Sequence, residues 1–169
     1  MAEQLRLAGI IKESIVDGPG IRMSVFAQGC PHHCPGCHNP QTHDFNSGTL
    51  TDIDDIIAQF KANPLLKGIT FTGGEPFCQA DKLALIGKEV HAMGKDVMTY
   101  TGYTFEQLLE RNKPEEMALL RETDILVDGP FIKEEKNMTL LFRGSKNQRI
   151  LDVKQSLKQS KAVIVDWQR

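Results

Sequence analysis

From residue 5 to residue 128, short β-branched or apolar runs alternate with stretches of helical periodicity, and this rhythm restricts the possible folds most. Leu5 to Ile11 reads as an opening strand, broken by the turn Asp17-Gly18-Pro19-Gly20. Ile21, Met23, Val25 and Ala27 then alternate with Arg22, Ser24, Phe26 and Gln28, the period of a strand that Gly29 ends. Thr42 to Gly48 is polar and reads as a surface loop. Thr51 is expected to open a helix, with Asp52, Asp54 and Asp55 in its first turn and Ile53, Ile56, Ile57 and Phe60 at helical spacing, until Asn63-Pro64 stops it. Gly68 to Thr72 is a second buried strand, followed by a helix on Leu83, Ile86, Val90 and Met93 that Gly94 closes. Asp96 to Thr101 is a third. Phe105, Leu108, Leu109 and Met117 to Leu120 give helical turns interrupted at Pro114. Ile125 to Val127 is a fourth strand, and Ala162 to Val165 a last one.

Such a βα repeat implies a parallel sheet with helical crossovers. With 169 residues, the chain is sized for one domain, 1–169, and falls short of the roughly 200 residues that a complete eight-unit barrel needs. The fold class expected is α/β, as a partial, laterally open barrel. Ligands of such folds collect at the C-terminal ends of the strands. Four segments fall at that edge: the loop after Gly29, Gly73-Gly74-Glu75-Pro76, Thr101-Gly102 and Asp128-Gly129.

The first of these carries the most distinctive chemistry. Cys30-Pro31-His32-His33-Cys34-Pro35-Gly36-Cys37 puts three thiols in one loop, and its prolines and glycine favour a backbone that turns them towards one centre. Three thiolates suit a 4Fe-4S cluster with one iron left for a ligand that is not protein, since an ordinary cluster takes four cysteines. Zinc is the competing reading, and it makes the chain a non-enzymatic interaction module. His32, His33, His38 or Cys78 can complete a tetrahedron, but no second Cys/His knuckle exists. Four cysteines and no secretory leader at Met1 to Arg6 argue against disulfides and for a reducing, cytoplasmic setting.

Charge excludes little but directs attention. The net charge of −2 and the absence of an eighteen-residue apolar run speak against a nucleic-acid binder and a membrane span. Residues 1–128 hold 11 Lys/Arg against 18 Asp/Glu, whereas residues 129–169 hold 9 against 4, so the basic segment from Lys133 to Arg149 is a candidate partner surface.

The Cys-x3-Cys-x2-Cys loop after one strand and Gly73-Gly74-Glu75-Pro76 after another resemble the radical S-adenosylmethionine superfamily. Asp17-Gly18-Pro19-Gly20-Ile21-Arg22, Cys34 to Asn39, Thr101-Gly102-Tyr103, Val127 to Phe131 and Arg143 to Arg149 narrow it. Together they resemble the activating proteins of anaerobic ribonucleoside-triphosphate reductases over nearly the whole chain. The resemblance implies a 4Fe-4S cluster on Cys30, Cys34 and Cys37, with S-adenosylmethionine chelated at the open iron. It further implies reductive cleavage to a 5′-deoxyadenosyl radical, which takes hydrogen from a glycine of the reductase to leave a glycyl radical. Reduced flavodoxin or ferredoxin is the implied electron donor. Gly73, Gly74 and Glu75 are the implied methionine cradle, and Gly36, Cys37 and His38 the local candidates for the adenine side. Gly36 departs from the aromatic residue common in the wider superfamily, as activases of this kind often do. Two alternatives stay open within the superfamily: an activase of pyruvate formate-lyase, and a small-molecule enzyme resembling the deazaguanine-forming synthases. The residues do not settle the roles of Asp128 (turn cap or ligand edge), of Arg143 and Lys146 (partner contact or solvated loop), or of Cys78.

Overall fold

The alternating run after Gly20 forms strand β2 (Arg22–Ala27), whose Arg22, Met23, Ser24, Val25 and Ala27 are all buried, so both faces of the strand are covered. The computed structural model describes residues 3–137 and 139–165. Around β2 lie β1 (Gln4–Ser14), β3 (Thr49–Asp52), β4 (Gly68–Gly73), β5 (Asp96–Tyr100), β6 (Ile125–Asp128) and β7 (Arg149–Asp152). They form one sheet in the order β3-β1-β2-β4-β5-β6-β7. Strands β2, β4, β5 and β6 run parallel, while β1 is antiparallel to β2 and β3, and β7 is antiparallel to β6. Helices α1 (Ile53–Lys61), α2 (Ala80–Ala92), α3 (Phe105–Arg111), α4 (Pro114–Glu122) and α5 (Val153–Gln159) complete the architecture.

Register explains why the two faces differ. Met23 lies beside Ile69 and Ile69 beside Val97, while Val25, Phe71, Thr99, Leu126 and Leu151 form the next cross-strand row. The apolar members of these rows share one core with Ile53, Ile56 and Phe60 of α1, Leu83, Ile86 and Val90 of α2, Phe105 and Leu108 of α3, Leu119 and Leu120 of α4 and Val153 of α5. All five helices therefore bury their apolar stripes on the same face of the sheet. Each fully buried side chain in these rows contributes about 1.5–3 kcal/mol by area removed from water. The alternate positions point the other way. There Met98, Val127 and Ile150 form a small second core with Tyr100, Ile125 and Phe142, next to a polar patch where Arg22 donates to Thr70 Oγ1 at 2.7 Å and pairs with Asp96.

The structure departs from the sequence reading at several places, each with a local cause. The sheet is mixed, because the chain enters and leaves it through antiparallel edge pairs that a βα rhythm does not display. Thr51 does not open a helix: residues 49–52 pair with Leu7 to Gln4 as β3, and α1 begins at Ile53. Pro114 is the first residue of α4, where its missing N–H costs nothing, so it starts a helix and does not merely interrupt one. Residues 162–165 make only an isolated bridge, Ile164 to Leu151. The true last strand, β7, and α5 lie in a stretch with no read periodicity. Among the described residues β3 and β7, the sheet's two edges, do not pair with each other, and no helix is long and apolar enough to cross a membrane.

At the edge remote from the strand C-termini, His91 at the end of α2 bridges two carboxylates, Nδ1 to Glu122 at 2.9 Å and Nε2 to Asp124 at 2.7 Å, with Lys154 Nζ 3.7 Å from Asp124. Burial alone would lower the His91 pKa, but the hydrogen bonds to Asp124 and Glu122 carry it above its ordinary value of 6.5. A raised folded-state pKa means that this stabilisation is fully present below pH 6.5 and is lost as the pH rises through the raised value. Chemical denaturation between about pH 5.5 and about pH 8.5 should show the parent protein losing stability relative to His91→Gln as pH rises, since histidine titrates in this window. Curves that stay parallel would refute the linkage.

Candidate functional site

The parallel ladder between β2 and β4 continues beyond the strands and thereby sets the cysteine loop. Gly74 N donates to Ala27 O and Glu75 N to Gly29 O, both at 2.8 Å, while Gly29 N donates to Thr42 O at 2.7 Å. Glycine is required here by packing. Gly73 has φ of +95°, and a Cβ on it would lie 2.6 Å from Ala27 N; a Cβ on Gly74 would lie 2.4 Å from Gly29 O. The pair thus lets the β4 loop lie directly against the start of the cysteine loop, a reason for glycine that holds without any ligand.

An open cavity of about 860 Å³ lies at the C-terminal ends of β2, β4, β5 and β6. Cys30, Cys34, Cys37 and His38 from the loop line it, with Gly73 and Gly74, Thr101 and Gly102, and Gly129. All four segments placed at this edge from the sequence therefore meet there. Thr72 and Tyr100, which also line it, belong to the sheet face opposite the helices, so the cavity opens on the helix-free side. Gly36 and Glu75, expected among the ligand contacts, do not line the cavity. Gly36 has φ of +74°, a conformation that disfavours any side chain, and a Cβ there would lie 3.2 Å from Lys133 and 3.5 Å from Phe131. His38 packs its ring on Phe131 at 4.9 Å.

Glu75 is instead the internal anchor of the site. It is 1% exposed, and its carboxylate accepts from Phe77 N, Thr101 Oγ1, Gly102 N at 2.8 Å and His32 Nε2 at 2.6 Å. His32 is therefore half-buried, packed edge-on against Tyr103 and against Gly102, where any Cβ would strike its ring. His33, its neighbour in the loop, is exposed. Burial pushes the Cys30 thiol above its ordinary pKa, opposed by backbone N–H groups of His32 and His33. Cys78 is exposed and outside the cavity lining. Asp128 serves neither of its two expected roles: its buried carboxylate caps α3 through Phe105 N at 2.7 Å and pairs with Arg149 at 2.5 Å.

Asn137 and residues 139–142 were not marked by the sequence as cavity residues. Asn137, Thr139, Leu140, Leu141, Phe142, Arg143 and Gly144 all line it, as do Ile15, Val16, Asp17 and His43. No periodicity marks them, because they belong to loops; only the motif that begins at Arg143 was a signal. Lys146 is exposed. Among the described residues no three His, Cys, Asp or Glu side chains converge as ligands of a single ion.

The anchoring role of Glu75 has a measurable consequence. Glu75→Gln replaces one acceptor oxygen by an NH2 group facing donors, which should cost about 1.5–3 kcal/mol. Hydrogen exchange should then quicken at the cysteine loop and at Gly102 together. Unchanged stability and exchange would show that the carboxylate does not hold the loops.

Comparison with known proteins places this geometry. A family model described as a 4Fe-4S single cluster domain matches residues 16–151. An anaerobic ribonucleoside-triphosphate reductase-activating protein of Salmonella typhi is 38% identical over 143 residues, covering 79% of this chain and 90% of that one. Those of Escherichia coli K12 and of Enterobacteria phage T4 are 36% and 33% identical, covering 79% and 80% of this chain and 90% and 86% of theirs. Among solved structures, that of QueE from Escherichia coli superposes with a TM-score of 0.47 at 18% identity, over 60% of this chain and 53% of that one. The chain belongs to the family of anaerobic ribonucleoside-triphosphate reductase-activating proteins.

Proposed function

We propose that this protein activates an anaerobic ribonucleoside-triphosphate reductase by generating a glycyl radical in it. The observation that carries the reading is the meeting of all three loop thiols with the Gly73-Gly74 pair in one cavity at the ends of parallel strands. In this reading Cys30, Cys34 and Cys37 would each hold one iron of a 4Fe-4S cluster, and Gly73 and Gly74 would hold S-adenosylmethionine, with Cys37 and His38 the residues of the loop that line the cavity on its adenosine side. A cluster suits the donor set better than zinc, because the matching family model is that of a 4Fe-4S single cluster domain and three thiolates leave one iron open to a ligand that is not protein. The bound groups supply one-electron cleavage of the sulfonium and a 5′-deoxyadenosyl radical that takes hydrogen from a glycine of the reductase. The chain's own part is placement: Glu75 and His32 hold the loops in register, and the glycine pair lets a ligand approach the backbone. Reduced flavodoxin or ferredoxin is the electron donor in this proposal.

A partial, laterally open barrel formed by one domain, 1–169, is supported by four consecutive parallel strands with α1 to α5 on one face, by edge strands β3 and β7 that do not pair with each other among the described residues, and by a core running from Leu5 to Val153. A polypeptide substrate is supported by the cavity's rim. Ile15 is 74% exposed, Val16 70% and Leu141 50%, and all three line the cavity. The basic segment contributes less than its charge suggests, since Arg149 is paired internally with Asp128 and Glu106; Lys133, Lys136 and Lys146 remain exposed.

Anaerobically reconstituted protein should hold about four irons and four sulfides. Replacing Cys30, Cys34 or Cys37 by Ala should abolish S-adenosylmethionine cleavage, and Cys78→Ala should retain most of it; equal loss in Cys78→Ala would redraw the ligand set. Mixed with reduced protein and S-adenosylmethionine, the anaerobic reductase should develop a glycyl signal in electron paramagnetic resonance. A signal in pyruvate formate-lyase alone would reassign the partner, and cleavage without any glycyl signal would favour a small-molecule substrate. The rim makes a separate prediction: Val16→Asp with Leu141→Asp should slow reductase activation about tenfold or more through a lost apolar contact while leaving uncoupled cofactor cleavage intact.

A further inference from the structure

We propose that Arg143 is the counter-ion for the carboxylate of S-adenosylmethionine, a role that rests on the function proposed above. Arg143 and Asp17 are the fully charged side chains among the residues that line the cavity. Asp17 is already engaged, its Oδ2 accepting from Ser14 Oγ at 3.0 Å and from Ser24 Oγ at 2.8 Å. Arg143 is held but not satisfied. Its Nη1 donates to Gln148 O at 3.0 Å, which fixes the guanidinium, while its Nε is buried with no hydrogen-bond partner. Among the described residues it has no carboxylate within ion-pair distance, whereas Arg22, Arg111 and Arg149 each have one.

The loop that presents Arg143 is built for rigidity. Gln148 Oε1 accepts from Gly144 N at 2.8 Å and Ser145 N at 3.2 Å, and its Nε2 donates to Gly129 O at 3.1 Å. Asn147 Nδ2 donates to Pro130 O at 2.7 Å, which ties the same loop to the end of β6. The motif Arg143 to Arg149 thus works as a latch on the β6 loop, and Arg143, which it carries, lines the cavity with its Nη1 held by Gln148 O. A buried guanidinium N–H without an acceptor is unfavourable until a ligand supplies one. Arginine is the residue suited to the task, because its planar fork matches a carboxylate with two parallel hydrogen bonds. One cation in the lining fits one carboxylate; a phosphate would call for more positive charge than the lining offers.

The test compares ligands as well as variants. Reconstituted protein, matched for iron and sulfide, is titrated with S-adenosylmethionine and with its decarboxylated analogue. Arg143→Gln should weaken S-adenosylmethionine binding roughly tenfold to a hundredfold, as expected for loss of a charge-assisted pair, and change affinity for the analogue less than about twofold. Arg143→Lys, which keeps the charge and loses the fork, should fall between. Unchanged S-adenosylmethionine affinity in Arg143→Gln would overturn the proposal, as would an equal loss for both ligands, which marks a general disturbance of the loop. A defect confined to the KM for the reductase would overturn it in favour of a partner contact. If the parent protein itself binds no S-adenosylmethionine, the proposed function falls first, and the result is distinct from any of these.

Discussion

One buried carboxylate ties together the ends of three parallel strands. Glu75 follows β4, receives hydrogen bonds from Thr101 and Gly102 after β5, and holds His32 of the loop after β2. Beyond the two ladder bonds that extend from β2 and β4, these loops share no regular pairing, so their relative positions depend on such a shared acceptor. A carboxylate suits it because two oxygens can accept several converging donors at once. The glycine pair makes the arrangement possible, since any side chain at Gly73 or Gly74 would push the β4 loop off β2 and take Glu75 out of reach of His32.

The same device recurs at other sheet ends. Asp128 joins the first turn of α3 to Arg149 of β7, and Arg22 joins β2 to Asp96 and to the Pro19 carbonyl of the preceding turn. Buried ion pairs of this sort add little net stability, because desolvation offsets most of their attraction, but breaking one is costly. Their effect is positional. They fix loop and strand ends that hydrophobic packing on the helix face cannot reach, and they leave the C-terminal edge ordered yet open.

What was legible in the sequence follows from this division. Strands β2, β4, β5 and β6 and helices α1 and α2 showed themselves because burial on the helix face imposes a period, as in Ile53, Ile56 and Phe60 or Leu83, Ile86 and Val90. The site edge showed itself because strand ends carry turn residues such as Gly73-Gly74 and Asp128-Gly129. Strand β7 did not, since its four residues include Arg149 and Asp152, which follow tertiary partners and a helix cap, not a period. Strand β3 was hidden for a related reason: Thr51 and Asp52 look like a helix start, and only pairing with β1 recruits them. The role of Glu75 was out of reach, because a motif names a residue without saying which way its carboxylate turns.

The fold correction and the cavity's cation have the same origin. A purely parallel sheet would end at β6 and leave Gly129 and Pro130 as a bare loop. Because β7 returns antiparallel beside β6, residues 129–137 and 139–148 belong to a long hairpin connection that reaches the cavity at the strand termini. Gln148 and Asn147 fasten that connection to Gly129 and Pro130, and Phe142 packs with Met98, Val127 and Ile150 on the helix-free face. The chain thereby covers one side of the cavity with a segment no crossover helix could supply. It also brings Arg143 to a cavity whose other charged side chain, Asp17, is already held by Ser14 and Ser24. The antiparallel edge is thus the element that turns an open set of strand ends into a cavity with a defined charge.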